Sequence, residues 1–137
     1  MRWSNDIAEI TKALAAAQGE MANAKMTATN PYFKSKYATL ADIWDICRPV
    51  LHKHGLAVIQ DAGTSENGIK VSMVLAHSSG QWFESELTLS PDKPTAQAAG
   101  AVITYGRRYL LSTMLGISAE EDTDANPSLP KPVKEDN

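Results

Sequence analysis

TAQAAGAVITYGRRYLLSTMLGISAEEDTD, residues 95–124, holds the longest uninterrupted helical pattern in the chain. Thr95 follows Pro94 and can cap a helix by accepting hydrogen bonds from its first free N–H groups, and Gly116 can close that helix just after Leu115. Within it Ala98, Val102, Tyr105 and Tyr109 recur at spacings of four, three and four, which reads as one apolar stripe. Ala99, Gly106 and Leu110 lie beside the stripe and keep that side thin enough for a sheet or helix to approach closely. The opposite side carries Gln97, Gly100, Thr104, Arg107 and Arg108, a polar strip that turns cationic toward its C-terminal end. Two adjacent arginines on a helix otherwise made of small and apolar residues are the most pointed chemical feature of the sequence.

Working outward from that helix, Leu56 to Asp61, Ile69 to His77 and Gln81 to Ser90 read as strands. Alternation is visible in Lys70, Ser72, Val74 and in Phe83, Ser85, Leu87, Leu89, and the connections Gly63 to Gly68 and Ser78-Ser79-Gly80 are short and rich in turn residues. Short connections favour an antiparallel meander with one face packed on helices, so the expected fold is α+β, with about three or more strands packed against helices. Upstream, Ser4 or Asn5 can cap a helix with Ile7, Ile10, Leu14 and Met21 on one side, running to about Asn23. Thr39 with Asp42 resembles a capping box, and Leu40, Ile43, Trp44, Cys47 and Leu51 fit one face of the helix it opens. Pro49 predicts a kink or a new first turn near Arg48, and Gly55 ends the helix.

The 137 residues, 43% hydrophobic and 21% charged, suit one soluble domain, expected over residues 1–124, with a Pro-rich acidic tail at 125–137 that predicts disorder. No apolar run approaches the roughly 20 residues of a membrane span, and MRWSNDIAEI lacks the apolar core of a signal peptide, which predicts an intracellular protein. Cys47, the single cysteine, reads as a small buried hydrophobe. The net charge of −3 is unevenly placed. From Glu120 onward six acids face two lysines, a charge of −4, which leaves +1 for the body. A nearly neutral body can still bind phosphate where its cations cluster.

One such cluster is KMTATNPYFKSKY, residues 25–37, where Lys25, Lys34 and Lys36 interleave with Tyr32, Phe33 and Tyr37 and no acid intervenes. Amines neutralise a nucleic-acid backbone while aromatic faces stack on bases without reading sequence. The competing reading has the aromatics anchoring a surface loop and the lysines merely solvated.

Several motifs fail. Gly63 to Lys70 approximates a phosphate-cradling loop, but the lysine is displaced by one residue, no Ser or Thr follows it, and a strand rather than a helix comes next. Asp122, Asp124 and Asn126 open like a calcium loop, but Pro127 replaces the required glycine and Val133 the bidentate glutamate. His52, His54 and His77 have no partners at zinc spacing, and no Ser/His/Asp set can be nominated. The run Glu120 to Asp124 could bind a divalent ion in a nuclease, or be a solvated acidic stretch, or compete electrostatically for a basic groove. No enzyme activity and no cofactor are expected.

Taken together, Asn30-Pro31-Tyr-Phe-Lys-Ser-Lys-Tyr-Ala-Thr-Leu40, Leu51-His-Lys-His-Gly55-Leu, His77-Ser-Ser-Gly80, Gln97-Ala-Ala-Gly100 and Thr104-Tyr-Gly-Arg-Arg-Tyr-Leu110 before an acidic cluster resemble the ERF (essential recombination function) family of phage single-strand annealing proteins, over roughly Ile7 to Asp124. The resemblance implies ATP-independent binding and annealing of single-stranded DNA by a homo-oligomer, a ring or helical filament. It also implies a fold similar to the annealing proteins of homologous recombination, the cytoplasm of a bacterial host as location, and a phage exonuclease and a host single-strand-binding protein as candidate partners. Related folds place a basic pair of the long helix in the DNA groove, where this chain has Arg107 and Arg108. The family usually carries a further C-terminal region, where this sequence has a short tail. The expected DNA-binding set is Arg107, Arg108, Lys34, Lys36, Lys25, Tyr32, Phe33, Tyr37, Thr104 and Gln97. The alternatives are an assembly module whose arginines pair with a neighbour's carboxylates, and a metal-dependent nuclease using the acidic run.

Overall fold

The structure, a computed structural model, describes residues 1–32 and 34–121. The elements are β1 (Arg2–Trp3), α1 (Ala8–Glu20), β2 (Ala28–Thr29), β3 (Lys36–Tyr37), α2 (Leu40–Lys53), β4 (Leu56–Ser65), β5 (Gly68–His77), β6 (Trp82–Leu89) and α3 (Ala96–Leu115). The expected meander is present. All strands of the main sheet are antiparallel, in the order β1-β6-β5-β4, and β2 and β3 form a separate small hairpin. The fold is therefore α+β. The expected tail and the acids Asp122 and Asp124 lie outside the described residues.

Register decides which side of the sheet meets the helices. Val58, Leu75 and Phe83 stand opposite one another across the three long strands, as do Gln60, Met73 and Ser85, and Ala62, Val71 and Leu87. Directly opposed residues share a face, and on β5 that face is Val71, Met73 and Leu75, all fully buried. They pack with Ile10 and Ala17 of α1, Ile43, Cys47 and Leu51 of α2, and Leu110, Leu111 and Leu115 of α3. Each fully buried side chain of this size contributes about 1.5–3 kcal/mol. Burial also pushes the Cys47 thiol up to about 11.

Local signals explain most helix ends. The Thr39 hydroxyl accepts the Asp42 N–H at 3.1 Å and the Asp42 carboxylate accepts the Thr39 N–H at 2.9 Å, a complete capping box. Pro49 does not break α2, which runs on to Lys53. Proline removes one ladder bond, and here both it and Asp45, the residue whose carbonyl loses that bond, are exposed to water. Thr95 caps α3 through the Ala98 N–H, and Gly116 ends it in the left-handed conformation. The Gly116 N–H reaches the Thr113 carbonyl and the Ile117 N–H the Ser112 carbonyl, a Schellman motif. α1 departs from expectation. It starts later, with Asp6 accepting the Ala8 N–H and the Gln81 side chain accepting the Ile10 N–H. Ser4 instead joins the sheet edge by accepting the Trp82 N–H. α1 also ends at Glu20 rather than near Asn23, because Met21 is extended. β4 outlasts its expected end because the turn is only Glu66-Asn67, and the ladder continues through Gly63, Thr64 and Ser65.

The rotation of α3 puts the thin side expected around Gly106 and Leu110 on the sheet and leaves the apolar stripe beside it. Gly106, not the tyrosines, meets the sheet. A methyl group added there would stand 2.8 Å from Val71 Cγ2 and 3.0 Å from its Cβ. The buried side is Gly106, Leu110, Leu111, Ser112 and Leu115, whereas Tyr105 and Tyr109 are 43% and 45% exposed. Successive helical residues turn by about 100°, so with Gly106 on the sheet Tyr105 falls on one flank, Arg107 on the other and Arg108 on the far side.

Two outcomes test this account. Overpacking costs about 1–3 kcal/mol, while Ala for Gly inside a helix gains about 1 kcal/mol. Gly106→Ala is therefore expected to lower the urea midpoint by an amount equivalent to up to about 2 kcal/mol. Combining it with Val71→Ala should cost less than the two changes summed. The second outcome concerns Asp42. The Thr27 hydroxyl, at 2.5 Å, and the Thr39 N–H hold its carboxyl below the usual carboxylate range. A carboxyl whose folded-state value is lowered contributes stability that is present above its ordinary value and is lost as pH falls from there through the lowered one. The acid limb of a Tm-against-pH curve should therefore flatten in Asp42→Asn.

Candidate nucleic-acid interface

On the far side of α3 from the sheet, a groove of about 530 Å³ opens between the helix and the β2–β3 hairpin. Gly100, Ala101, Thr104, Tyr105 and Arg108 supply the helical wall, and Asn30, Pro31, Ser35, Lys36 and Tyr37 the hairpin wall. Small residues at 100 and 101 keep the helical wall low. Asn30 shapes the hairpin: its N–H donates to the Ser35 carbonyl, its carbonyl accepts the Lys34 N–H, and its side chain accepts the Tyr32 N–H at 2.9 Å. Lys34 closes the turn with a positive φ of 55°. The hairpin base is tied down where the Thr27 hydroxyl donates to Asp42 and the Ala38 N–H donates to the Ala119 carbonyl at 2.7 Å.

Arg108 is the centre of the site. Its guanidinium carbon stands 4.5 Å from the ring centre of Tyr37 and 5.4 Å from that of Tyr105, a cation held between two aromatic faces. Its Nη2 donates to Glu120 Oε1 at 3.1 Å, and only 14% of the side chain is exposed, against 50% for Glu120. Tyr105 and Tyr109 stack, with ring centres 6.1 Å apart and planes 18° from parallel. Burial, and then the Glu120 carboxylate, pushes the Tyr105 hydroxyl up. A basic side chain, half-exposed tyrosines and small wall residues form a surface able to hold a phosphate beside an unpaired base.

Of the residues expected from sequence, Lys36, Tyr37, Thr104 and Arg108 share this groove. Gln97 lies exposed two turns nearer the start of α3, on the helix side that carries Thr104 and Arg108. Tyr32, 88% exposed, and Lys34 stand at the hairpin tip, and Lys25 is exposed ahead of β2. Phe33 lies outside the described residues. Arg107 is elsewhere: its Nε donates to Gln60 Oε1 at 3.1 Å, and Gln60 Nε2 returns a bond to the Arg107 carbonyl at 3.0 Å. The two arginines thus point about 100° apart, Arg107 to one flank and Arg108 to the far side of the helix, and do not form a continuous cationic strip. Tyr105 and Tyr109 belong to the surface although their spacing reads as an apolar stripe. Gly106 between them was the available signal, since the side without a side chain is the one that can touch a sheet.

The groove is balanced in charge, with Lys36 and Arg108 facing Glu120 and Glu121. The other ion pairs among the described residues are Arg2 with Glu84 at 2.6 Å, Lys70 with Glu86 at 3.2 Å, and Lys53 and His54 on Glu20. Among the described residues no three His, Cys, Asp or Glu side chains converge to hold a metal ion, and no helix is long and apolar enough to cross a membrane. No curated protein and no solved structure matches the chain. A family model described as the ERF superfamily matches residues 10–137, so that α2, α3, the three long strands and both walls of the groove fall within the match, and the chain belongs to that superfamily.

Proposed function

We propose that this protein binds single-stranded DNA along the groove between α3 and the β2–β3 hairpin and anneals complementary strands without nucleotide, as a multimer serving phage homologous recombination. Membership of the ERF superfamily supports recombination and single-strand pairing as its field of action. The observation that carries the residue-level reading is Arg108 held between Tyr37 and Tyr105 at the rim of an open groove that also contains Lys36. Annealing needs the backbone gripped and the base edges left free. Arg108 and Lys36 take phosphates, Tyr105, Tyr109 and the hairpin's Tyr32 offer stacking faces, and specificity comes from the incoming strand. A single groove offers few cations. Repeating it around a multimer lets many weak contacts act on one continuous strand. A phage exonuclease that exposes single strands and a host protein that coats them are the partners this role requires.

The second reading, an assembly module, draws on the same Arg108–Glu120 pair, because a carboxylate that satisfies Arg108 within one copy can also come from another. Native mass spectrometry with and without a single-stranded oligonucleotide separates the two: oligonucleotide-bound multimers favour annealing, and multimers indifferent to oligonucleotide favour assembly alone.

Arg108→Ala is expected to weaken oligonucleotide binding and to flatten its log–log salt dependence by about 0.7 for each phosphate that is no longer neutralised. Tyr105→Ala should cost about 1–3 kcal/mol of binding if a base stacks there. Arg107→Ala should leave the salt slope in place and lower thermal stability through removal of the Gln60 bridge. An equal fall in slope for both arginines would instead run the strand across both flanks of α3. An annealing time course with labelled complementary strands and no nucleotide tests the activity itself.

A further inference from the structure

The Arg108 guanidinium is largely covered by the chain itself: it stands over the rings of Tyr37 and Tyr105, and its Nη2 donates to Glu120. Glu120 does not reach Arg108 as a loose side chain. The Schellman turn at Gly116 reverses the backbone, Ile117 and Ala119 are buried, and the Ala38 N–H clamps the Ala119 carbonyl at 2.7 Å. Tyr37 and Glu120 then pair as an antiparallel bridge, and the Glu121 N–H reaches the Lys36 carbonyl at a longer 3.3 Å. The segment after α3 therefore meets β3 at a single antiparallel bridge that delivers one carboxylate to one guanidinium. A carboxylate and a phosphate present the same paired oxygens to an arginine fork.

We propose that Glu120 is a resident stand-in for phosphate, and that the strand enters by exchange: a backbone phosphate displaces the Glu120 carboxylate from Arg108. The proposal rests on the single-strand reading above and adds to it a carboxylate that sets how readily the site opens. The released carboxylate is half exposed already and passes to water, and the Ala38–Ala119 clamp keeps it close enough to return when the strand leaves. Bound and free states thus differ by a swap of anions on one cation, with the Tyr37 and Tyr105 rings unmoved. Glu121, which also lines the groove, has no bond to Arg108 and provides the control for plain repulsion.

The test is affinity for a fluorescent oligo-dT strand at low salt in the full chain and in Glu120→Gln, Glu121→Gln, Arg108→Ala and the Arg108→Ala/Glu120→Gln double variant. An ion pair at this exposure is worth up to about 1 kcal/mol, so Glu120→Gln should tighten binding by about two- to fivefold. Glu121→Gln should tighten it less, and the gain from Glu120→Gln should vanish once Arg108 is absent. Arg108→Lys, which keeps the charge but loses the fork, replaces Arg108→Ala should that variant fold poorly, and the gain should shrink there too. Equal gains from both glutamines, or a gain that survives Arg108→Ala, would mean general repulsion and overturn the exchange. So would unchanged affinity in Glu120→Gln while Arg108→Ala still weakens binding, and that result would leave the single-strand reading standing. If neither the full chain nor any variant binds the strand, the single-strand reading itself fails and the exchange falls with it.

Discussion

The contact between Gly106 and Val71 sets the geometry on which the rest of the molecule depends. Only a residue without a side chain can approach the sheet so closely, and a helix pressed down at one point has no freedom left in its rotation. With that rotation fixed, Leu110, Leu111 and Leu115 go into the core, Tyr105 and Tyr109 go to the surface, and the paired arginines separate. A core contact thereby determines which charged group the outer surface displays. Arg107 is drawn into the Gln60 bridge on the sheet side, and Arg108 is left to the hairpin.

What surrounds Arg108 comes from three distant parts of the chain. Tyr37 belongs to a two-residue strand, Tyr105 to the long helix, and Glu120 to the segment that follows it. None of these pieces has a core of its own. The hairpin is secured through Asp42, which closes the α2 capping box and at the same time accepts the Thr27 hydroxyl. The segment after α3 is secured by the buried Ile117 and Ala119. Anchors sit at the base of each wall, while the rim between them carries exposed tyrosines and a lysine. That division, firm below and open above, suits a surface that must accept a long flexible polymer lying on it.

Much of this was readable from the sequence wherever the cause was local. The Thr39–Asp42 box, the Thr95 and Gly116 ends of α3 and the Ser78-Ser79-Gly80 turn of the meander each depend on residues within a few positions of one another, and each appears as the sequence implies. Contacts that need the finished fold were not readable. β1 is two residues whose partner Glu84 lies far along the chain, and nothing in Arg2-Trp3 announces it. The alanine, valine and tyrosine stripe of α3 was as regular as a core face. It does not take that role because the thinner side, marked by a single glycine, fits the sheet better. Adjacent arginines read as one patch in a linear string, and the helical turn of about 100° between them makes them two. Glu120 was visible only as part of an acidic run, since its bond to Arg108 needs the backbone reversal at Gly116.

Cys47, sealed beneath α2 with its thiol pushed to about 11, is the only cysteine in the chain. Thiol reagents attack the thiolate, and a buried group of that acidity offers almost none at neutral pH. The native protein is therefore expected to react only slowly with maleimide dyes, so that a cysteine introduced at the exposed position of Tyr32 would take the label well ahead of the natural thiol.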